Sequence, residues 1–243
     1  MRIKKAFIVL PFLILLSCKK DSPTNNNAVV PDTWGYNSSL SITEQYTLSS
    51  SNALTFNGRF ATATFVKVDL SNPRTVGITF NIDSVLFNNK LLYQYRISNE
   101  PYLMAYTDTI PVTPYPSFIW NIRGSSEYPS YKDTITDSIP KFTKYGSVPD
   151  SISQSGHTSL FLGSTNADSV SIYISDEISS GGWGKTLSST TSSVTVSNAN
   201  WLALTATGII SFTCFKKFFK MVSNKRINYE ISSVYTKTIS IVP

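Results

Sequence analysis

A chain of 243 residues with two cysteines and one histidine has too few ligands for a multi-Cys or His-rich transition-metal site, and too few thiols for a disulfide framework. Its charged residues make up 15%, with 21 Lys and Arg against 15 Asp and Glu, and part of the formal +6 sits on Arg2, Lys4 and Lys5 at the extreme N-terminus, so the balance does not mark a nucleic-acid binder. Aromatic content of 13% and abundant Ser, Thr and Asn read instead as a polar-surfaced β protein, long enough for two sandwich domains of about 100 residues each.

In chain order the first element is a leader. Arg2, Lys4 and Lys5 precede an almost wholly apolar run from Ala6 to Leu16, and a small residue, Ser17, then precedes Cys18. That run is shorter than the roughly 20 residues needed to cross a bilayer as a helix, so residues 1–17 are expected to be a cleaved signal peptide and not an anchor. Leu15-Leu16-Ser17-Cys18 resembles the lipobox of bacterial lipoproteins, which implies cleavage before Cys18 and acylation of its thiol and new amino group. Two or more acyl chains hold a protein stably at a membrane. No cofactor is therefore expected beyond covalent lipid on Cys18, with location in an outer membrane of unspecified leaflet.

Residues 18–31 carry the lipidated cysteine and, in KKDSPTNNNAVVP, no period and many turn formers, as a flexible tether would. Beyond Trp34 the period is two. Leu40 and Ile42, then Ala61, Ala63 and Phe65, then Val76, Ile78, Phe80 and Ile82 alternate with polar or small residues, as half-buried strands do. Residues 85–97 predict a hairpin turning at Asn88-Asn89. The Pro-containing stretch from Asn99 to Pro116 reads as a loop, and Phe118, Trp120 and Ile122 resume the alternation up to Gly124.

A run of prolines between Ser125 and Asp150 suggests a domain boundary near residue 145, giving an N-terminal sandwich over 32–145 and a C-terminal one over 146–243. In the second, short alternating units appear at Leu160–Leu162, Val170–Ile174, Val194–Val196, Ile210–Cys214, Ile227–Ile231 and Ile239–Ile241. Their number and spacing suit an immunoglobulin-like sandwich. Cys214 shares a face with Ile210 and Phe212 and is expected in the core. Phe215, Phe218, Phe219 and Val222 fall at helical spacing with lysines between, but the context favours one long strand, bulged near Lys216.

The lipobox, FNNKLL at 87–92, SFIWNIRG at 117–124 and NADSVSIYIS at 166–175 together resemble two-domain, all-β surface lipoproteins of Gram-negative bacteria. That resemblance implies a fold and a location and carries over no catalytic residue.

Candidate chemistry is sparse. His157 has serines nearby but no Gly-x-Ser-x-Gly elbow. Glycoside hydrolysis needs two facing carboxylates, and no pair stands out by context. Asp168 and the Asp176-Glu177 pair lie near opposite ends of one strand and are read as turn acids and not a shared calcium site. No catalytic and no metal residue is nominated. Trp120 and Trp201 are expected in the core, whereas Trp183, among Gly181, Gly182 and Gly184, is read as a loop indole that either packs over a sheet end or contacts a ligand, with Tyr102, Tyr106 and Tyr115 as a second aromatic surface. Lys216, Lys217, Lys220, Lys225 and Arg226 form a basic run, read either as a solvated hairpin tip or as a face for anionic lipid or glycan. The expected function is a noncatalytic membrane-anchored surface module, structural or adhesive, with glycan binding through loop aromatics as the alternative and glycoside hydrolysis third. Partners are the membrane and a glycan or protein, not nucleic acid.

Overall fold

The structure is a computed structural model that describes residues 35–68, 78–79, 82–96, 104–110, 117–126, 128–176, 182–197, 207–223 and 225–243. Residues 32–243 form one compact unit. The first strands in chain order are β1 (Gly35–Leu48), β2 (Leu54–Val68), β3 (Ile78–Thr79), β4 (Ser84–Phe87), β5 (Lys90–Leu91) and β6 (Tyr93–Arg96). β7 (Met104–Ile110), β8 (Phe118–Arg123), β9 (Tyr131–Ile135), β10 (Lys141–Phe142), β11 (Ser151–Ser153) and β12 (His157–Phe161) follow. The last are β13 (Ser164–Thr165), β14 (Ser169–Asp176), β15 (Gly182–Ser188), β16 (Ser193–Ser197), β17 (Gly208–Val222) and β18 (Lys225–Val242). The protein is all-β, and its sheets pack face to face as a sandwich does.

One large sheet runs in the order β15-β14-β17-β18-β1-β2-β7-β6, with β11 also on β18 and β3 on β2. A four-stranded sheet, β5-β4-β8-β9, and two short pairs, β12-β16 and β10-β13, complete the described strands. The middle of the large sheet joins the first and last described strands, because β1 pairs in parallel with β18 from Ser38 opposite Ile227 to Leu48 opposite Lys237. Strict alternation lets β18 run for 18 residues: Ile227, Tyr229, Ile231, Tyr235, Ile239 and Ile241 all bury on one face. Register carries that face sideways, aligning Tyr229 with Leu40 on β1 and with Phe218 on β17.

This face supports two hydrophobic clusters. At one end Leu40, Ala63, Phe65 and Tyr229 meet Phe87, Phe118, Trp120 and Ile135 of the four-stranded sheet. At the other, Ile172, Phe212, Cys214 and Tyr235 meet Phe142, Leu160 and Val196. Ring contacts knit each cluster: Phe87 stands edge-on to Trp120 at 4.8 Å, and Phe142 stacks on Phe212 at 4.5 Å. The boundary expected near residue 145 therefore does not divide the backbone. Four long strands, β1, β2, β17 and β18, belong to the same sheet, and β1, β17 and β18 give side chains to both clusters. Tandem sandwiches would need a break in these strands, and the alternation of β18 contains neither Pro nor Gly to make one.

Several elements differ from the expectation for the same reason. The units at Ile227–Ile231 and Ile239–Ile241 are one strand, β18. Residues 215–222 are strand, as expected, but β17 and β18 pair from Gly208–Ile239 to Val222–Lys225 with no irregularity near Lys216. The bulge lies elsewhere, where Gln45 faces Gly58 while Tyr46 faces Phe56, leaving Asn57 over. Asn88 and Asn89, at φ 47° and 66°, make the two-residue turn between β4 and β5. After buried Leu92 the chain leaves that hairpin, and β6 joins β7 in the large sheet. Residues 104–110, read as loop, form β7, whose mixed MAYTDTI pattern hid its period. The leader, Cys18, the tether, Trp34, Val76, Phe80 and Trp201 lie outside the described residues.

Candidate functional site

Trp183 is not in a loop. It lies in β15, opposite Ile174 on β14, and packs half-buried against the second cluster. The glycines beside it serve Tyr173, which faces the opposite side of the sheet. A Cβ on Gly182 would come within 2.4 Å of the Tyr173 hydroxyl and 2.7 Å of its ring, and one on Gly184 within 3.3 Å. Removing those side chains lets an aromatic lie over an edge strand, a known way of shielding glycine in sheets. Tyr106 is in β7, opposite Ala63, and Tyr102 and Tyr115 lie outside the described residues. Because β14, β17, β18, β1 and β2 separate β15 from β7, Trp183 and Tyr106 sit in opposite halves of the sheet and share no platform.

His157 begins β12, with Nδ1 2.9 Å from Ser197 Oγ, and both residues are exposed. Asp168 Oδ2 accepts the backbone N–H of Lys217 at 2.8 Å, which ties the start of β14 to β17. Asp176 is buried at the far end of that strand, and Glu177 lies outside the described residues. Among the described residues, no three His, Cys, Asp or Glu gather closely enough to hold a metal ion. Cys214 is fully buried as expected, and burial pushes its thiol up to about 12.

The basic run is largely built into the fold. Lys216 pairs with Asp137 at 2.6 Å, Lys220 with Asp133 at 2.7 Å, and Lys217 with Glu230 at 3.0 Å. The first two clasp β17 to β9 and the segment after it, across the gap between sheets. Burial works against the Asp133 charge, but the hydrogen bonds and positive charge of Lys220, with the Thr134 backbone N–H, outweigh it and hold the carboxyl below its usual range. A depressed carboxylate stabilises the fold fully above its unfolded pKa, and that contribution disappears as pH falls through the lower folded value. Thermal melts between pH 5 and pH 2 should therefore show an acid-side loss of midpoint that is smaller in Asp133→Asn than in wild type.

Polar groups missed by the periodicity occupy the seam between the two clusters. Glu44 and Arg59 face each other on β1 and β2, 4% and 8% exposed, with Arg59 Nε and an Nη donating to one Glu44 oxygen at 2.9 and 2.5 Å. Tyr46 donates to the other oxygen at 2.5 Å. Beside them Ser233 donates to the Pro140 carbonyl at 2.5 Å. Farther along, Lys237 is 1% exposed yet satisfied by Asn52 Oδ1, the Val148 carbonyl and Asp150 Oδ1 at 2.7, 3.0 and 2.6 Å. A carboxylate standing in a β alternation at a core-face position was the available signal for Glu44.

The end of the β17–β18 hairpin carries two exposed apolar side chains. Phe219 and Met221 face outward, 55% and 56% exposed. Arg226 lies 4.3 Å over the Phe219 ring, and Lys225 lies 4.9 Å over Tyr128 on the other face. Continuing the alternation of Ile210, Phe212 and Cys214 through residue 222 puts Phe219 and Met221 outside, a consequence the helical spacing obscured.

Fold and side-chain disposition together define an all-β protein of packed sheets with a polar seam and ion-paired clasps. No family model matches the chain, and no curated protein matches it. Among solved structures it is similar to the crystal structure of DIP-gamma IG1+IG2, with 9% identity, 86% of this chain and 98% of that one covered, and a TM-score of 0.22. A likeness at that score carries no argument about topology or activity.

Proposed function

We infer that the chain is a lipid-anchored, noncatalytic module of the bacterial envelope that presents its surface to a macromolecular partner. The observation that carries this reading is Leu15-Leu16-Ser17-Cys18 directly after a basic and apolar leader. A second support is the use made of polar side chains: Lys216 and Lys220 clasp β17 to β9 and the segment after it, and Glu44, Arg59 and Lys237 are ion-paired inside the fold. The glycan alternative draws less support, since Trp183 is half-buried and the strand bearing Tyr106 is remote from it.

Metabolic labelling with a fatty-acid analogue tests the anchor. The wild type should incorporate label, and Cys18→Ser should not, while keeping its leader. Equal labelling of the two would contradict acylation at Cys18.

A further inference from the structure

We propose that the parallel β1–β18 pair is a load-bearing clamp, which lets the fold resist tension applied between the start of β1 and the far end of β18. Only the source of such a load rests on the anchored-module reading, in which a tethered surface protein held by a partner is pulled through its N-terminal side. The clamp itself rests on the pairing.

Strand direction decides how a ladder takes load. β1 and β18 run side by side in one direction, unbroken from Ser38 opposite Ile227 to Leu48 opposite Lys237. The start of β1 and the end of β18 therefore lie at opposite ends of the pair, and pulling them apart drives the strands past each other along their axes. The hydrogen bonds of a parallel pair are evenly spaced, so that pull strains them together and none breaks first. Two points at the same end of the pair load it differently: the strands peel and the bonds break in turn.

Neighbouring strands and side chains also oppose sliding. β1 is held on its other edge by β2 and β18 by β17, so neither can be drawn out alone without breaking a second ladder. The Thr43 and Ser232 hydroxyls bond across the pair at 2.9 Å, Thr236 donates to the Tyr46 carbonyl at 3.2 Å, and the Tyr46 and Tyr235 rings stack at 4.8 Å. Buried Lys237 reaches Asn52 Oδ1, in the turn after β1, at 2.7 Å. A slip of one residue would turn Leu40, Ile42 and Glu44 out of the core, and a slip of two would take Tyr46 off Tyr235. No displaced register offers a resting point, so rupture is all-or-none.

Single-molecule pulling on the full chain tests the clamp. Cys18→Ser removes one native thiol and buried Cys214 stays unlabelled under native conditions, so handles attach only at introduced cysteines. One handle goes on Ser39→Cys, near the start of β1. The other goes on exposed Val242→Cys, at the far end of β18, or on exposed Arg226→Cys, beside the start of β1. Exposed Ser240→Cys is a second far-end site. At equal pulling speed the 39–242 and 39–240 pairs should unfold at a several-fold higher force than the 39–226 pair, because the direction of pull sets the unfolding barrier. Their rupture should be one event that lengthens the 39–242 molecule by roughly 650 Å, the extended chain less the folded span. Equal forces in the two directions, or far-end records that unfold in many small steps, would overturn the proposal. The Cys18→Ser background cannot take lipid at that position, so the two readings fail separately: loss of fatty-acid labelling in the wild type leaves the clamp standing, and equal forces leave the anchor standing.

Discussion

Replacing Glu44 by alanine is expected to destabilise the fold by about 3–5 kcal/mol, because it leaves the Arg59 guanidinium buried beside an empty position. Over a unit of this size that is a drop in melting midpoint of roughly 10 °C. The pair itself need not be strongly stabilising. Both charges lose their hydration, and their attraction is offset by that cost, so a well-packed apolar replacement of both partners can be nearly neutral. Glu44→Met with Arg59→Met should accordingly recover most of the loss seen in Glu44→Ala. A single variant that melts with the wild type would mean that Arg59 reaches solvent when its partner is removed.

Trp120→Ala should cost about as much, roughly 3–5 kcal/mol, for a different reason. Its ring is fully buried between Phe87 and the large sheet, so truncation empties a large volume that the long strands cannot collapse to fill. Trp120 Nε1 has no hydrogen-bond partner among the described residues. Trp120→Phe therefore sacrifices volume but no hydrogen bond, and about 1–2 kcal/mol is expected. Chemical denaturation of the two variants separates these cases, and equal losses would mean that the indole nitrogen is engaged.

These two positions mark how far the residues could be read without coordinates. Trp120 was legible because Phe118, Trp120 and Ile122 alternate within one strand, and alternation is local. The alternations around Ile42, Phe65 and Phe212 likewise located strands correctly, as did the Asn88-Asn89 turn. Glu44 falls at the next core-face position after Leu40 and Ile42, but its partner was not legible, since the pairing depends on Arg59 arriving opposite it from β2. Nor was the parallel pairing of β1 with β18, which joins segments nearly the whole chain apart and leaves no turn signature at either end. That pairing also undid the expected division at residue 145. Trp183 packs against a sheet as one of its two readings has it, but the glycines beside it suggest a loop in sequence, whereas their missing side chains make room for Tyr173 on a paired strand. The basic run likewise looked solvent-facing in sequence, because Asp133 and Asp137 approach it only through the packing of the two sheets.

A single sheet carrying both hydrophobic clusters would hold its two ends at a fixed distance from each other, and this is what an independent pair of domains on a linker would not do. Pulsed thiol labelling in increasing urea tests that continuity within one molecule. Cys214 reports the second cluster, and Val85→Cys, buried in the first, reports the other. Shared long strands predict that both thiols become reactive at the same urea concentration, in one cooperative transition. Two well-separated midpoints, with one thiol still protected after the other is fully labelled, would contradict the account.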